Sequence, residues 1–243
     1  MSYEAFADYY DELMSDVDYG GYAHYIDELI KQYKPNAKLL VDIACGTGSM
    51  TVKFAEMGYD VIGADISEEM LSKAREKSDG SILYLCQSAQ ELDMYGTIDA
   101  FVCTLDSLNH IESKEELCRA LSRVALFLEP DGVFVFDMNT PYKHEKVLGN
   151  NAFVYETDDV YCVWRNEYEG GGKVNIALDF FEERADGSYE RFCEDFSEVA
   201  YSYAETEEML RDSGLKILAA YRDMTMNPPE KNSERIVFVA AKL

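Results

Sequence analysis

Residues 38–65 read KLLVDIACGTGSMTVKFAEMGYDVIGAD, and the pattern of this stretch decides the predicted fold. The apolar run LLVDI is typical of a parallel strand that is covered on both faces. Gly46 and Gly48 follow this strand and allow a tight turn, because glycine lacks the Cβ that would keep the backbone away from a ligand. A helix is then expected at 49–57, and it is expected to end at Gly58.

A second strand is predicted at 60–64, and it ends at Asp65. In a unit of this kind the acid reaches the carboxyl edge of the sheet, beside the glycine turn. A carboxylate has two oxygens, so it can accept hydrogen bonds from both hydroxyls of a ribose. The strand, turn, helix and strand together predict a crevice for a nucleotide-type ligand.

The type of ligand is indicated by two departures from the dinucleotide fingerprint GxGxxG. Thr51 stands where the third glycine is expected, and Asp42 lies within the end of the first strand. A negative charge there would repel a pyrophosphate but would attract a ligand with an ammonium and a sulfonium group. S-adenosylmethionine is such a ligand. An NAD-linked oxidoreductase is the less favoured alternative, and a glycine turn taken alone also occurs for structural reasons.

Two segments carry a resemblance to a known family. VDIACGTGSM and the later VIGADISEEML resemble the first two motifs of the class I S-adenosylmethionine-dependent methyltransferases. The resemblance implies S-adenosylmethionine as cofactor and S-adenosylhomocysteine as product. In that family the first acid and the glycine turn hold the methionine part, and the second acid holds the ribose.

Carried over to this chain, the resemblance assigns the methionine part to Asp42, Ala44 and Gly46, and the ribose to Asp65. Ile66 would lie against the adenine as an apolar lid. The chain departs from the commonest pattern at Ala44, where many members of the family have glycine. The implied cofactor site therefore lies along the carboxyl edge of the first two strands.

The rest of the chain continues the alternation of strands and helices. Helices are expected before Pro35, after Ser67, after Ser113 and at 206–213. Further strands are expected at 81–86, 98–104, 133–137, 215–221 and 235–242. These elements predict a doubly wound α/β domain with a seven-stranded, Rossmann-like sheet.

The pattern of apolar residues changes over 153–200, where no helical period is present. Strands separated by GGG at 170–172 and ADG at 185–187 are typical of antiparallel hairpins. This insertion resembles that of small-molecule methyltransferases of the glycine and amino-sugar N-methyltransferase type. It has two interpretations: a roof that recognises substrate, or a sheet that covers apolar surface or contacts a second subunit.

The domain assignment follows from these patterns. Residues 1–145 and 201–243 are expected to form the cofactor-binding domain, with 1–34 as an N-terminal helical lid. Residues 146–200 are expected to form the inserted antiparallel subdomain. The segment FADYYDEL in the lid resembles the FAxxYDxL segment of the same N-methyltransferases.

Further site residues are expected where the third and fourth strands end. Ser88 and Ala89 follow the third strand, where the family often has an acid that contacts adenine; Ser88 offers a hydroxyl instead. Leu105 and Asp106 follow the fourth strand and are expected to face the sulfonium end. We expect Leu105 to contact the cofactor and Asp106 to contact the substrate.

Two residues are candidates for catalysis, and a third for substrate binding. His110 follows the fourth strand and could accept a proton from the acceptor, although a histidine there could also only hydrogen-bond to a helix end. In similar sugar N-methyltransferases a histidine at the matching position lies near the acceptor nitrogen. Tyr10, in the lid segment, could orient the methionine end or the substrate and shield the sulfonium, or could be a core aromatic. Trp164 is interpreted as either a substrate wall or a packing residue.

Composition limits the partners. Lys+Arg 22 against Asp+Glu 47 gives a net charge of -25, which argues against nucleic acid and permits a neutral or cationic small molecule, although solubility alone also explains such a surface. The six cysteines have no metal-ligand spacing, so no metal is expected. An acidic N-terminus and the lack of a long apolar run predict a cytoplasmic protein without a membrane partner. A homodimer is left open.

The sequence thus predicts transfer of a methyl group to a small-molecule acceptor by direct in-line displacement. Nitrogen is favoured over oxygen because of the resemblance. A protein that binds S-adenosylmethionine for regulation would share each cofactor feature. A methyltransferase that modifies tRNA or protein is a further, less favoured alternative.

Overall fold

The computed structural model describes residues 4–157 and 160–243, which form six α-helices and eleven strands. The helices are α1 (Glu4–Leu13), α2 (Tyr19–Tyr33), α3 (Ser49–Glu56), α4 (Glu68–Lys77), α5 (Lys114–Phe127) and α6 (Tyr203–Asp212). The strands are β1 (Leu39–Ile43), β2 (Asp60–Asp65), β3 (Leu83–Cys86), β4 (Ile98–Cys103), β5 (Leu128–Asn139), β6 (Ala152–Glu156), β7 (Val160–Gly170), β8 (Lys173–Glu183), β9 (Tyr189–Val199), β10 (Leu215–Arg222) and β11 (Arg235–Lys242).

The larger sheet has the strand order β10, β11, β5, β4, β1, β2, β3. Strands β1 to β5 are parallel, whereas β11 runs antiparallel to both β5 and β10. The chain order reverses between β1 and β4, and ligands of such sheets bind outside the carboxyl ends of the strands at this point. The predicted seven-stranded, Rossmann-like sheet is confirmed.

Helices cover both faces of this sheet. On one face, α2 and α3 bury Ile26, Leu29 and Phe54. On the other face, α5 and α6 bury Leu121 and Leu210. Because helices cover both faces of the central strands, these strands are nearly continuous apolar runs, as the sequence indicated. None of the helices in the described residues is both long and apolar enough to cross a membrane.

The second sheet is antiparallel throughout and has the order β6, β7, β8, β9. Side chains of β8 alternate, so that one face buries Val174, Ile176, Leu178 and Phe180. This face packs with residues of α1 and of the segment after β5, including Leu148. The insertion therefore lies against the helix that begins the described chain.

Some boundaries differ from the predicted ones, for local reasons. Helix α6 begins at Tyr203 because Ser202 and Glu205 form a reciprocal capping box. Strand β5 begins at Leu128 rather than at Val133. A π-helix at Lys143–Leu148 was not predicted, since six residues are too few to show a helical period.

Candidate cofactor and acceptor site

A cavity of about 410 Å³ opens at the carboxyl edge of the larger sheet. It is lined by eight of the residues that the sequence indicated: Tyr10, Ala44, Gly46, Asp65, Ile66, Ser88, Ala89 and His110. A smaller neighbouring cavity of about 30 Å³ adds Asp42 and Leu105. The structure thus brings together predicted residues from α1, from the ends of β1, β2 and β3, and from the turn after β4.

The glycine turn has the backbone shape that its residues predict. Gly48 adopts a positive φ of 77°, and a Cβ placed there would lie 2.9 Å from both the Cβ of Ala74 and the hydroxyl of Tyr84. Gly46 and Ala44 also have positive φ, of 54° each. For alanine this conformation is strained, since its Cβ crowds the following carbonyl.

Asp65 joins the second strand to the glycine turn. One carboxylate oxygen, Oδ2, accepts a hydrogen bond from the backbone N–H of Gly46 at 2.8 Å, and Oδ1 accepts one from Ser67 at 2.9 Å. Burial raises the pKa of Asp65, and these backbone donors partly offset the effect. Each oxygen keeps a further lone pair, so the carboxylate could still accept hydroxyl groups of a ribose. The neighbouring Ile66 side chain is 67% exposed at the cavity wall.

Asp42 is buried beneath the turn. Its Oδ2 accepts a hydrogen bond of 2.6 Å from the hydroxyl of Thr51, the residue that replaces the third glycine of the fingerprint. Burial, assisted by the charge of Asp65, raises the pKa of Asp42 to about 7. A cation held nearby would favour the ionised carboxylate. We call Asp42, Ala44, Gly46 and Asp65 the glycine-turn end of the site.

The loop after β4 is fixed by a buried acid that the sequence did not single out for this role. Leu105 and Asp106 have positive φ, of 58° and 55°, and both donate their backbone N–H to the carboxylate of Asp137 at 2.7 Å. The hydroxyl of Tyr22 also donates to Asp137, and Arg235 forms an ion pair with it. Strained residues of this kind persist where the surroundings hold them, often at functional sites. The sequence pattern that could have identified Asp137 is the presence of an acid inside the apolar run VFVFDMN.

Asp106 is held by its own set of partners. Oδ1 accepts from Arg235 at 2.6 Å, and Oδ2 accepts from the side-chain amide of Asn139 at 2.6 Å. Burial alone would raise the pKa of Asp106, but the charges of Arg235 and Lys143 lower it below the ordinary value. Both oxygens already have partners, and substrate contact by Asp106 stays a prediction.

His110 lies at the end of the short turn Ser107–His110 and lines the larger cavity. Its ring centroid is 5.1 Å from that of Phe196, and its Nε2 is 3.8 Å from Oε1 of Glu198. Both partners belong to β9 of the inserted sheet. We call His110, Phe196 and Glu198 the imidazole end of the site. Sequence reasoning missed Glu198, since nothing local links it to His110.

Helix α1 is fastened over the glycine turn. Oδ1 of Asp11 accepts from the hydroxyls of Thr47 at 2.7 Å and Ser49 at 3.2 Å, and Oδ2 accepts from Lys77 at 2.8 Å. This places Tyr10 at both cavities. Burial raises the pKa of Tyr10 well above its ordinary value, so its phenol is neutral.

Trp164 lies apart from these groups. Its Nε1 donates to Oδ1 of Asn166 at 2.7 Å, and its ring is 6.1 Å from the rings of both Phe153 and Tyr155. In the part of the chain that the structure describes, Trp164 is absent from the lining of both cavities. It packs within the inserted sheet, and its role as a substrate wall stays a prediction.

All six cysteines are free thiols. Residues 4–157 and 160–243 contain no group of three or more His, Cys, Asp or Glu side chains that could hold a metal ion. The side chains that line the two cavities offer carboxylates, hydroxyls, amides, an imidazole and the thiols of Cys45 and Cys103.

Comparison with known proteins places this site in context. A family model described as a methyltransferase domain matches residues 40–132, which span the glycine turn and most of the parallel strands. The crystal structure of an S-adenosylmethionine-dependent methyltransferase from Clostridium acetobutylicum is similar over 100% of this chain and 99% of its own, with 33% identity and a TM-score of 0.88.

Two sequence relatives are similar over nearly the whole chain. YqeM of Bacillus subtilis, whose name places it among methyltransferases, is 33% identical over 100% of this chain and 98% of its own. A glycine/sarcosine N-methyltransferase from Halorhodospira halochloris is 25% identical over 98% of this chain and 88% of its own. Because the alignments span nearly all of this chain, they include the region of the inserted sheet.

Proposed function

Since the chain belongs to the S-adenosylmethionine-dependent methyltransferases, we propose that it methylates the nitrogen of a small amine. The enzyme uses S-adenosylmethionine. When bound, this cofactor supplies a methyl group that its sulfonium already activates. An NAD-linked oxidoreductase, the alternative left open by the glycine turn, is excluded by the family.

The observation that carries the proposal is the lining of the larger cavity. Asp65, with a carboxylate suited to a ribose, and His110, with an imidazole suited to a proton, line the same space together with Tyr10. The proposed ribose contact and the proposed proton acceptor therefore line the same cavity. A protein that only binds the cofactor has no need of the second group.

The proposed cofactor contacts follow the two parts of the ligand. At the glycine-turn end, Asp42, Ala44 and Gly46 would hold the methionine part, with Leu105 beside it. Asp65 would accept the ribose hydroxyls. The adenine contacts would come from Ile66, Ser88 and Ala89, which line the larger cavity. Ser88 would contribute a hydroxyl contact.

The chain's own residues would serve a direct in-line displacement by orienting the acceptor and managing one proton. His110 would accept the proton that the acceptor nitrogen gives up as its lone pair attacks the methyl group. Tyr10 would exclude water from the crevice, since its neutral phenol projects from α1 into the lining of the cavity. Asp106 is proposed to help place the acceptor.

Nitrogen is favoured over oxygen as the acceptor atom. The Halorhodospira relative is named for N-methylation of glycine and sarcosine, and the resemblance extends along nearly the whole chain. The net charge of -25 suits a neutral or cationic acceptor and opposes tRNA. These points support a small amine without identifying it.

The test is methyl transfer from labelled S-adenosylmethionine to matched acceptors. The panel contains glycine, sarcosine and an amino sugar, the corresponding hydroxy acid and hydroxy sugar, and unmodified tRNA. We expect label on an amine and none on its hydroxyl partner or on tRNA. Label only on the hydroxyl compounds or tRNA, or no label on any panel member although S-adenosylhomocysteine binds, would contradict the proposal.

A further inference from the structure

Glu198 is a buried carboxylate that has no assigned role in the proposed reaction. It is 4% exposed, and it lies on β9 on the same inward face as Phe196. An acid at this depth is stable only when it is paired or hydrogen-bonded, because removing a charge from water is costly. Its partners therefore indicate its role.

One oxygen of Glu198 faces a second histidine. Oε2 lies 3.2 Å from Nε2 of His144 and accepts from the side-chain amide of Asn139 at 3.3 Å. Nδ1 of His144 lies 2.7 Å from the carbonyl oxygen of Gly172. A carbonyl only accepts, so Nδ1 carries a proton. Nε2 of His144 lies beside Glu198 but makes no hydrogen bond within residues 4–157 and 160–243. His144 and Asn139 thus flank one oxygen of Glu198.

The other oxygen of Glu198 faces His110. Oε1 lies 3.8 Å from Nε2 of His110, while Phe196 packs against the ring. Nδ1 of His110 is buried and has no hydrogen-bond partner among the residues that the structure describes. A carboxylate beside Nε2 favours a proton on that nitrogen, which leaves Nδ1 as a proton acceptor.

Asn109 fixes the distance between these two groups. Its Nδ2 donates to the carbonyl oxygens of Val199 at 2.9 Å and Asn139 at 3.3 Å, and its Oδ1 accepts from the backbone N–H of Asn139 at 2.9 Å. Asn109 precedes His110, and Val199 follows Glu198. The amide thus ties the turn that carries the imidazole to the strand that carries the carboxylate.

We propose that Glu198, held between His144 and Asn139, is a positioning residue that orients His110 and stabilises its protonated form during methyl transfer. The inference rests on the proposed function. The acceptor's N–H proton passes to Nδ1 of His110 as the N–C bond forms and the bond from the methyl group to sulfur breaks, with its electron pair left on sulfur. Nε2 keeps its proton and faces Glu198 throughout.

Other charged groups lie near His110 and would remain in every variant. The charges of Asp65 and Asp106 interact with that of His110. Arg235 and Lys143 in turn act on Asp106. A change confined to Glu198 therefore isolates one of three neighbouring carboxylates.

The kinetic test replaces Glu198→Gln and uses Glu194→Gln as the matched control, since Glu194 lies on the same strand and inward face. For Glu198→Gln we expect kcat to fall at least about tenfold. The acidic limb of the pH profile of kcat/KM should also move to lower pH, because protonated His110 has lost the carboxylate that stabilises it. KM for S-adenosylmethionine and the thermal shift with S-adenosylhomocysteine should stay unchanged. Glu194→Gln should match the unmodified enzyme, and Glu198→Asp should restore part of kcat.

A spectroscopic test uses the protein without any acceptor. The chain has three histidines, and exposed His24 provides an internal reference. In ¹⁵N NMR spectra we expect neutral His110 to carry its proton on Nε2, beside Glu198, and we expect Glu198→Gln to lower the population of this tautomer. If Glu198→Gln fails to fold, the role of Glu198 is tested by the spectrum of the unmodified protein and by the kinetics of Glu198→Asp.

The outcomes separate the two proposals. A proton on Nδ1 rather than Nε2 of neutral His110 in the unmodified protein, or a Glu198→Gln enzyme with unchanged turnover and pH profile, would overturn the role of Glu198. An unmodified enzyme that methylates no amine would overturn the proposed function, and because the role of Glu198 rests on that function, it would fall as well. The spectrum would then still report whether Glu198 sets the tautomer of His110.

Discussion

The glycine-turn end and the imidazole end lie at the same edge of the sheet, yet they are assembled differently. The contact between Gly46 and Asp65 joins residues 19 apart in sequence, and it lies within one strand–helix–strand unit. The contact between Asn109 and Val199, which supports the imidazole end, joins residues 90 apart. One end is therefore encoded in a continuous motif, whereas the other depends on the inserted sheet folding against the larger one.

The largest effect should come from removing the imidazole. His110→Ala should lower kcat by about 10² to 10⁴-fold, the usual contribution of a positioned general base. Affinity for S-adenosylhomocysteine should not change, because the glycine-turn end is built from other elements. Steady-state kinetics and calorimetric titration measure the two quantities. His24→Ala, at an exposed helical position, is the control. Equal turnover in the two variants would remove His110 from catalysis.

A comparable loss, of affinity rather than of rate, is expected at the other end. Asp65→Ala removes the proposed ribose acceptor and leaves the N–H groups of Gly46 and Ser67 without their partner. Hydrogen bonds to a charged group contribute about 1.5–3 kcal/mol each, so Kd for S-adenosylhomocysteine should rise about 100-fold.

The control is Asp60→Ala, which removes an exposed acid from the first position of the same strand. Calorimetric titration should give it an unchanged Kd. A small and equal effect of both substitutions would mean that Asp65 does not bind the ribose, and the contrast between the two ends would lose its basis.

These contacts explain how much could be predicted from the sequence. The order of strand, turn, helix and strand predicted that Asp42, Gly46 and Asp65 lie near one another, and they line two neighbouring cavities, because the spacing within a single unit fixes their geometry. The antiparallel nature of the insertion also followed from its glycine turns and alternation. These patterns are local, so they are visible in one sequence.

The remaining features depend on contacts between distant segments. Asp137 holds the loop after β4 because β5 lies beside β4, which no motif states. Glu198 reaches the site because β9 packs against the turn that carries His110. His144 meets Glu198 only because a π-helix follows β5. In each case the sequence shows the type of residue, but it does not show which distant residues lie next to it in the fold.

A smaller effect, dependent on pH, should distinguish Asp42 from the other acids. Its pKa of about 7 means that the carboxyl is protonated below this pH and ionised above it. Cationic S-adenosylmethionine favours the ionised form, so its affinity should fall by up to about tenfold for each pH unit below 7.

Two variants give this prediction its controls. Asp42→Asn should weaken binding above pH 7 and remove the pH dependence. Thr51→Val should move the midpoint to higher pH, because the lost hydroxyl had lowered the pKa of Asp42. Titration calorimetry across about pH 6 to 8 measures both. An affinity for S-adenosylmethionine that stays constant over this range would show that Asp42 does not interact with the cation.

The smallest effect should come from the strain at Ala44, which distinguishes the glycine-turn end of this chain from the commonest family pattern. Ala44 has a φ of 54°, where an L-residue is disfavoured by about 1–2 kcal/mol. Ala44→Gly should relieve this strain but makes the unfolded chain more flexible, so we expect a net stabilisation of about 0.5–1 kcal/mol. The expected rise in Tm is then about 1–4 °C. Ala55→Gly, within helix α3 of the same unit, should instead lower stability by about 1 kcal/mol. A lower Tm for both variants would mean that Ala44 contributes packing that outweighs its strained backbone.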